Sequence, residues 1–432
     1  MRTKSWFIAV GAAAFVAACA TYLPEKWTST ATLEAQGLVA EASGKLQQQR
    51  YKEAPFSGVK PDFSQYRTYA YNDNRPEPAI SKASMPQGLV GDAAKGRKIF
   101  MDRNLGPCTG CHLIRGDDVW PAGNVGPDLS VQGELDRTDA EFYQMIHDMR
   151  AVLPQSIMPP WGASGVLKPQ DIVDVIAFLK TQKGPIAQEK DPNRNPNTRA
   201  KPPGYGDNLD PTNNPAILVA EDMAAKLWNK KGTGGKSCAD CHQGKSETAF
   251  KGVGTRYPRY IEQYGRMMSL EDYLASHGKD LAGIPLPNQS QENLGLSVFI
   301  KMQSNGMNLA LDLESPASKA AYERGQISFN KRVGQRNSAC VDCHTVGDGK
   351  GGGLYLGGRI LVDIAGGQLL NHFPTWRTNF GVIWDPRKRF QWCMLPLGMN
   401  YLAADAVEYA ELEFFVAAAG QGKPLSVPGI RH

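Results

Sequence analysis

The sequence predicts an all-α chain in which three helical domains follow one another in tandem. Three observations carry the prediction. At 432 residues the chain is too long for a single core. Six of its eight cysteines fall into three copies of one pattern, "CTGCH" (108–112), "CADCH" (238–242) and "CVDCH" (340–344). Each copy stands between a leading and a trailing segment whose apolar residues recur with a helical period. A net charge of +5, with no basic stripe interleaved with aromatics, argues against a nucleic-acid partner.

The N-terminus reads as a targeting segment. "MRTKSW" is a short cationic start, and "FIAVGAAAFVAA" is an apolar run of signal-peptide length, too short to span a bilayer as a mature helix. Small residues precede Cys19, which predicts a lipoprotein-type signal at 1–18 and a lipid on Cys19; ordinary cleavage after Ala18 or Ala20 is the alternative. Either route exports the chain to the periplasm, tethered to a membrane if the lipid is attached. Residues 19–89 carry no motif, although "ATLEAQGLVAEASGKLQQQRY" could be helical.

The first domain is placed at 90–182. "DAAKGRKIFMDR" leads it, with Gly96 and Phe100 four apart on one face, where glycine permits a close helix crossing. "KPQDIVDVIAFLKTQ" closes it, with Ile172, Val175, Ile176 and Leu179 as the buried stripe and Pro169 at a favoured first-turn position. A Pro- and Asn-rich stretch, 183–218, reads as a linker. The second domain, 219–306, opens with "VAEDMAAKLWNKKG" and closes with "SQENLGLSVFIKMQSNG". The third, 307–432, opens with "SPASKAAYERGQISFNKR", where Gly325 and Phe329 repeat the Gly-x-x-x-Phe spacing, and closes with "ADAVEYAELEFFVAAAG". The short junction between these two predicts that they pack as a unit.

Cys-x-x-Cys-His is the attachment pattern of c-type haem. Two cysteines three apart at the start of a helix reach both vinyl groups of one porphyrin, and the adjoining histidine lies under the iron. Zinc ribbons need paired Cys-x-x-Cys units or downstream histidine pairs, and a redox dithiol would not come three times followed by histidine. The pattern therefore predicts three cytochrome c-like domains and three covalent haem c groups, on Cys108 and Cys111, Cys238 and Cys241, and Cys340 and Cys343, with His112, His242 and His344 as proximal ligands.

The opposite axial ligand sets potential and reactivity. In the first domain Met158, in "SIMPPWG", is the candidate; Met145 and Met149 read as core, His147 as solvated, and Pro127 as the carbonyl that fixes the tautomer of His112. In the second, His277 competes with Met267 and Met268. In the third, Cys393 in "RKRFQWCMLP" competes with His372 and Met394. A disulfide to Cys19, an inert buried thiol or an intermolecular bridge would also explain Cys393. Against these, Arg387, Lys388 and Arg389 favour a thiolate and would attract an anionic substrate.

The stretch "FPTWRTNFGVIWDPRKRFQWC", lying between "CVDCH" and a final "VPGIRH", resembles the SoxA subunit of bacterial sulfur-oxidation cytochromes, as does "VGTRYPRYIEQYGRMMSLEDYLASH". "NVGPDLSVQGELDRTDAEFYQMIHDMRAVLPQSIMPPWG" resembles SoxX, the small Met/His partner, so the chain looks like SoxX and SoxA fused. The resemblance implies an L-cysteine S-thiosulfotransferase: thiosulfate is joined oxidatively to a cysteine of the carrier protein SoxYZ, and two electrons leave to a cytochrome c. It implies that Cys393 ligates haem and that Arg389, four positions earlier, serves thiosulfate. One departure is that dihaem SoxA proteins place a cysteine where His277 stands. Two other readings stay open, a thiosulfate dehydrogenase forming tetrathionate and a plain electron-transfer cytochrome.

Overall fold

A computed structural model of the chain describes residues 79–432, apart from 103–104, 106–107, 117–121, 185–213, 243–248, 335–336, 345–354, 357–358, 362–363, 365–369, 379, 395–401 and 432. The signal segment, Cys19 and most of the linker lie outside the described residues.

The first block comprises α1 (Ala93–Met101), α2 (Cys108–Cys111), α3 (Asp139–Asp148) and α4 (Pro169–Lys180). The second has α5 (Ala216–Trp228), α6 (Cys238–Cys241), α7 (Leu270–His277) and α8 (Gln291–Met302), with the short hairpin β1 (Arg259–Ile261) and β2 (Arg266–Met268). The third has α9 (Pro316–Asn330), α10 (Val341–His344), β3 (Tyr355–Leu356), β4 (Arg359–Ile360), β5 (Thr375–Arg377), β6 (Val382–Trp384), α11 (Pro386–Met394), α12 (Val407–Ala418) and β7 (Gly429–Arg431).

In each block a leading helix packs against a trailing one: α1 on α4, α5 on α8, α9 on α12. The spacing of glycine and phenylalanine explains two of these crossings. A Cβ on Gly96 would lie 1.9 Å from the Asp174 carbonyl oxygen, and one on Gly325 would lie 2.2 Å from that of Glu411. Only the missing side chain lets the backbones approach so closely. Phe100 and Phe329, one turn on, are buried at the same interfaces. The stripe Ile172, Val175, Ile176 and Leu179 is wholly buried, and Pro169 begins its helix as expected. The core side of α3 is formed by Phe142, Tyr143 and Ile146, whereas Met145 and Met149 are only half-buried. Residues 79–83 clip onto this helix, Ser81 N–H donating to Asp148 and Ala83 N–H to Gln144.

Blocks two and three share their cores. Met267 of β2 packs with Ala410 and Phe414 of α12, and Val427 near the C-terminus packs with Ala216 and Ala220 of α5.

The all-α expectation is corrected. Helices dominate, but three small sheets are present among the described residues, the largest in the order β6-β5-β7, antiparallel at the hairpin and parallel at β7. Thr375 pairs with Trp384 on one side and with Gly429 on the other. The hairpin leads directly through Asp385 into α11, the helix that carries Cys393. No helix among the described residues is long and apolar enough to cross a membrane.

Candidate haem centres and active site

The three motifs fold alike. The histidine N–H donates to the carbonyl of the first cysteine, at 2.8 Å in His112–Cys108, 2.9 Å in His242–Cys238 and 3.0 Å in His344–Cys340. This single turn sets two cysteines three apart on one face and turns the histidine in after them. None of the seven described cysteines forms a disulfide. The surroundings fit a bulky covalent group. A Cβ on Gly126 would lie 2.3 Å from Cε1 of His112, so the wall beside that ring must be glycine. Close in sequence to Cys340, the buried amide of Asn337 has no partner for either its nitrogen or its oxygen among the described residues.

In block one, His112 Nδ1 donates to the Pro127 carbonyl at 2.7 Å, which leaves Nε2 with its lone pair for a metal. Burial lowers the His112 pKa and favours the same neutral ring. Met158 is half-buried at the edge of the block-one core, on a loop where its N–H donates to Ser156 Oγ at 3.1 Å. His147, read as solvated, is half-buried. It lies 2.9 Å from the Ser81 hydroxyl and stacks on Tyr143.

In block two, the rings of His242 and His277 lie with centroids 6.1 Å apart, tilted at 48°. One metal held by both through bonds of about 2 Å would need a separation of this order. Tyr273 stacks on His277 at 4.9 Å and Phe250 packs edge-on against His242 at 5.1 Å. The rivals Met267 and Met268 are buried on β2, and Met267 belongs to the core shared with block three.

In block three the sulfurs converge. Burial, then the nearby Cys111, Asp342, Cys393 and Cys340, push the Cys343 thiol up to about 12. Cys393 and Cys111 therefore lie within electrostatic reach of the third motif. Of the rivals of Cys393, Met394 lies in the core cluster that Cys340 also borders, with its sulfur accepting from Tyr409 Oη at 3.2 Å, and the His372 ring packs on Phe373 with centroids 5.0 Å apart.

The cationic run divides by helical phase. At 100° per residue, Arg389 lies about 40° from Cys393, but Arg387 and Arg389 are about 160° apart. Pro386, Arg387, Gln391 and Met394 form the buried side of α11. Arg387 is 1% exposed, and its guanidinium is taken up by Asp272, by Glu413 Oε2 at 3.3 Å and by the Ala404 carbonyl at 2.6 Å. The expectation that Arg387 serves an anionic substrate is corrected, because no donor of a side chain so enclosed faces an incoming anion. Arg389 is half-buried, and no hydrogen bond or ion pair engages its guanidinium among the described residues. Lys388 is half-buried and turned about 140° from Cys393, with its N–H on Asp385 Oδ1 at 2.7 Å. Beside Cys393, Trp392 packs with Phe380 and Trp384 in a partly exposed aromatic group.

Two family comparisons match the chain: the cytochrome c family over residues 93–183, and the SoxA/TsdA cytochrome c domain over residues 223–309. The L-cysteine S-thiosulfotransferase subunit SoxA of Pseudaminobacter salicylatoxidans is 30% identical over 221 residues, which is 51% of this chain and 74% of the relative. The chain belongs to the SoxA family. The SoxA subunit of Paracoccus pantotrophus is 28% identical over 52% of this chain and 73% of its own. The crystal structure titled SoxXA from P. pantotrophus matches at 26% identity and TM-score 0.44, over 51% of this chain and 80% of that one. Both domain matches contain a Cys-x-x-Cys-His motif and so imply covalently bound haem c; the motif at 340–344 lies outside them.

Beneath α11, this SoxA-family chain gathers Glu271, Asp272, Asp385, Asp405 and Glu413 around Arg266, Lys301 and Arg387. Burial opposes ionisation of Glu271, but Lys301 at 3.0 Å and Ser297 hold it down at about 2. Burial pushes Asp385 and Asp405 up to about 6 and Glu413 up to about 8. The folded state thus holds these three protons more tightly than the unfolded chain. Their contribution favours folding at low pH and is lost as pH rises from about 4 to about 8. The melting temperature of the holoprotein is expected to fall between pH 5 and pH 8, and Glu413→Gln to flatten the upper part of that profile. Circular dichroism melts at fixed ionic strength measure both.

Proposed function

We propose that this chain is a trihaem enzyme of the periplasm that joins thiosulfate oxidatively to a cysteine thiol of the SoxYZ carrier and delivers two electrons to a cytochrome c. The observation that carries the reading is the position of Cys393, within electrostatic reach of the third motif and one turn beyond Arg389 on the side of α11 away from its buried residues. SoxA-family membership supports the substrate class. The residue sets fit three haem c groups: His112 with Met158, His242 with His277, and His344 with Cys393. When bound, haem accepts electrons one at a time. The third helix crossing supports a third cytochrome c-like unit, and the Met158 loop supports a SoxX-like role for block one.

The reaction balances as thiosulfate plus carrier thiol giving the carrier S-thiosulfonate, one proton and two electrons. Arg389 holds the dianion by charge-assisted hydrogen bonds, with Lys388 adding positive charge. Cys393 supplies the sulfur on which thiosulfate is handed to the carrier by thiol exchange. A direct route from block three to block one is supported by Arg332, which donates to the Ser156 carbonyl at 3.0 Å, two residues from Met158, and pairs with Asp342 of the third motif at 3.1 Å. A methionine-ligated site draws electrons in that direction through its higher potential.

The test mixes purified protein with thiosulfate and ferricyanide, with and without carrier. Carrier-dependent reduction and a carrier mass increased by one thiosulfate adduct are expected. Rapid tetrathionate formation without carrier would instead establish a thiosulfate dehydrogenase. In the same assay Arg389→Ala is expected to raise KM for thiosulfate about tenfold to a hundredfold, since hydrogen bonds to charged groups contribute about 1.5–3 kcal/mol.

A further inference from the structure

Resting on the ligand assignments above, we infer that Asp272 and Arg387 are positioning residues that tie the helix carrying His277 to the helix carrying Cys393, so that one buried ion pair sets the distal sides of both haem sites. Asp272 lies in the first turn of α7, five residues before His277, where it closes a capping box with Ser269. Arg387 lies in the first turn of α11, six residues before Cys393. Nη1 of Arg387 donates to Asp272 Oδ1 at 2.6 Å and Nη2 donates to Oδ2, a two-pronged contact that fixes angle as well as distance.

The other partners leave this joint little play. Asn288 donates to Asp272 Oδ1 at 2.6 Å, while the Ala404 carbonyl and Glu413 hold the far side of Arg387. Neither residue of the pair is more than 2% exposed. A buried ion pair is weak ground for stability, since apolar residues often replace one at no loss, and register is its best-attested use. Here the register lies between two helices of eight and nine residues, each anchored at its first turn and carrying its ligand near its last. A change of angle at the anchor displaces both helix ends together. Arg389 lies on the other side of α11, so substrate capture and thiol placement are set by different faces of one helix.

The test is electron paramagnetic resonance of the oxidised holoprotein carrying Asp272→Asn, with Cys393→Ala recorded beside it. Asp272→Asn is expected to shift the g-values of both the His277-type and the thiolate-type low-spin signals, leaving the His/Met signal unchanged. A shift in the His277-type signal alone, or in neither, overturns the inference. If Asp272→Asn does not fold, Arg387→Lys keeps the charge but not the planar fork, and a smaller joint shift is expected; wild-type spectra for that variant would also overturn it. Cys393→Ala separates the two levels. Loss of the thiolate-type signal there, together with unchanged spectra for Asp272→Asn, defeats only this inference. A wild-type spectrum for Cys393→Ala defeats the ligand assignment itself.

Discussion

Cys393→Ala is expected to abolish thiosulfate-dependent electron transfer, lowering kcat by at least about 10³-fold, the scale seen when a covalent catalytic group is removed. Covalent haem c should stay attached, because attachment depends on the six motif cysteines. The thiol shares the neighbourhood of Cys343 and lies on the same face of α11 as Arg389. Its neighbour Met394 is buried with its sulfur accepting from Tyr409. Stopped-flow reduction of the haems by thiosulfate plus carrier measures the rate, and intact mass measures haem retention. Cys393→Ser keeps the volume and a hydrogen-bonding group but loses a soft ligand, and is expected to be almost as inactive. Wild-type turnover in either variant would reduce the protein to an electron-transfer cytochrome.

What was legible in the sequence was local. The three motifs, the flanking helices and the Gly-x-x-x-Phe crossings at Gly96 and Gly325 follow from spacings within one helix, and each is found near its expected place, though α5 begins at Ala216, inside the stretch read as linker. Two features were not legible because their partners are distant in the chain. Arg387 reads as part of a cationic run because its principal partner, Asp272, is 115 residues away. The buried stripe Arg387, Gln391 and Met394, at i, i+4 and i+7, was the available signal, but it is hidden by having polar members. The sheet β6-β5-β7 was missed because its strands are three residues long and β5 pairs with a strand 54 positions downstream, as Thr375 with Gly429 shows. The hairpin residues "TWRTNFGVIW" and the final "VPGIRH" were visible as a shared resemblance, not as neighbours in space. His277 illustrates a middle case. Sequence left it competing with Met267 and Met268, and its ring centroid 6.1 Å from that of His242 now favours it.

Gly325→Ala is expected to open the crossing of α9 and α12 and to destabilise the protein by about 1–3 kcal/mol, the usual cost of overpacking a close contact. The new methyl would lie 2.2 Å from the Glu411 carbonyl oxygen and 2.8 Å from Phe415 Cβ. The carbonyl belongs to helix backbone and cannot turn aside, so the helices must separate. Separation weakens the packing of Phe415 on Tyr322 and Phe329, whose rings now lie 5.0 and 5.2 Å from it. It also strains the pair formed by Arg324 with Glu411 at 2.6 Å. For a unit of about 100 residues each kcal/mol corresponds to about 4–8 °C, so a fall of roughly 5–20 °C is expected in a melt followed at the third block. Haem absorbance during the melt is the second readout, because Phe329, Tyr322 and Cys340 border one core cluster. A change confined to blocks two and three, with the spectrum of block one intact, would follow from block one closing by its own crossing while the other two share a core. A change in block one at the same temperature would instead mean that Gly96 and Gly325 serve a single cooperative core, and the tandem description of the chain would have to be abandoned.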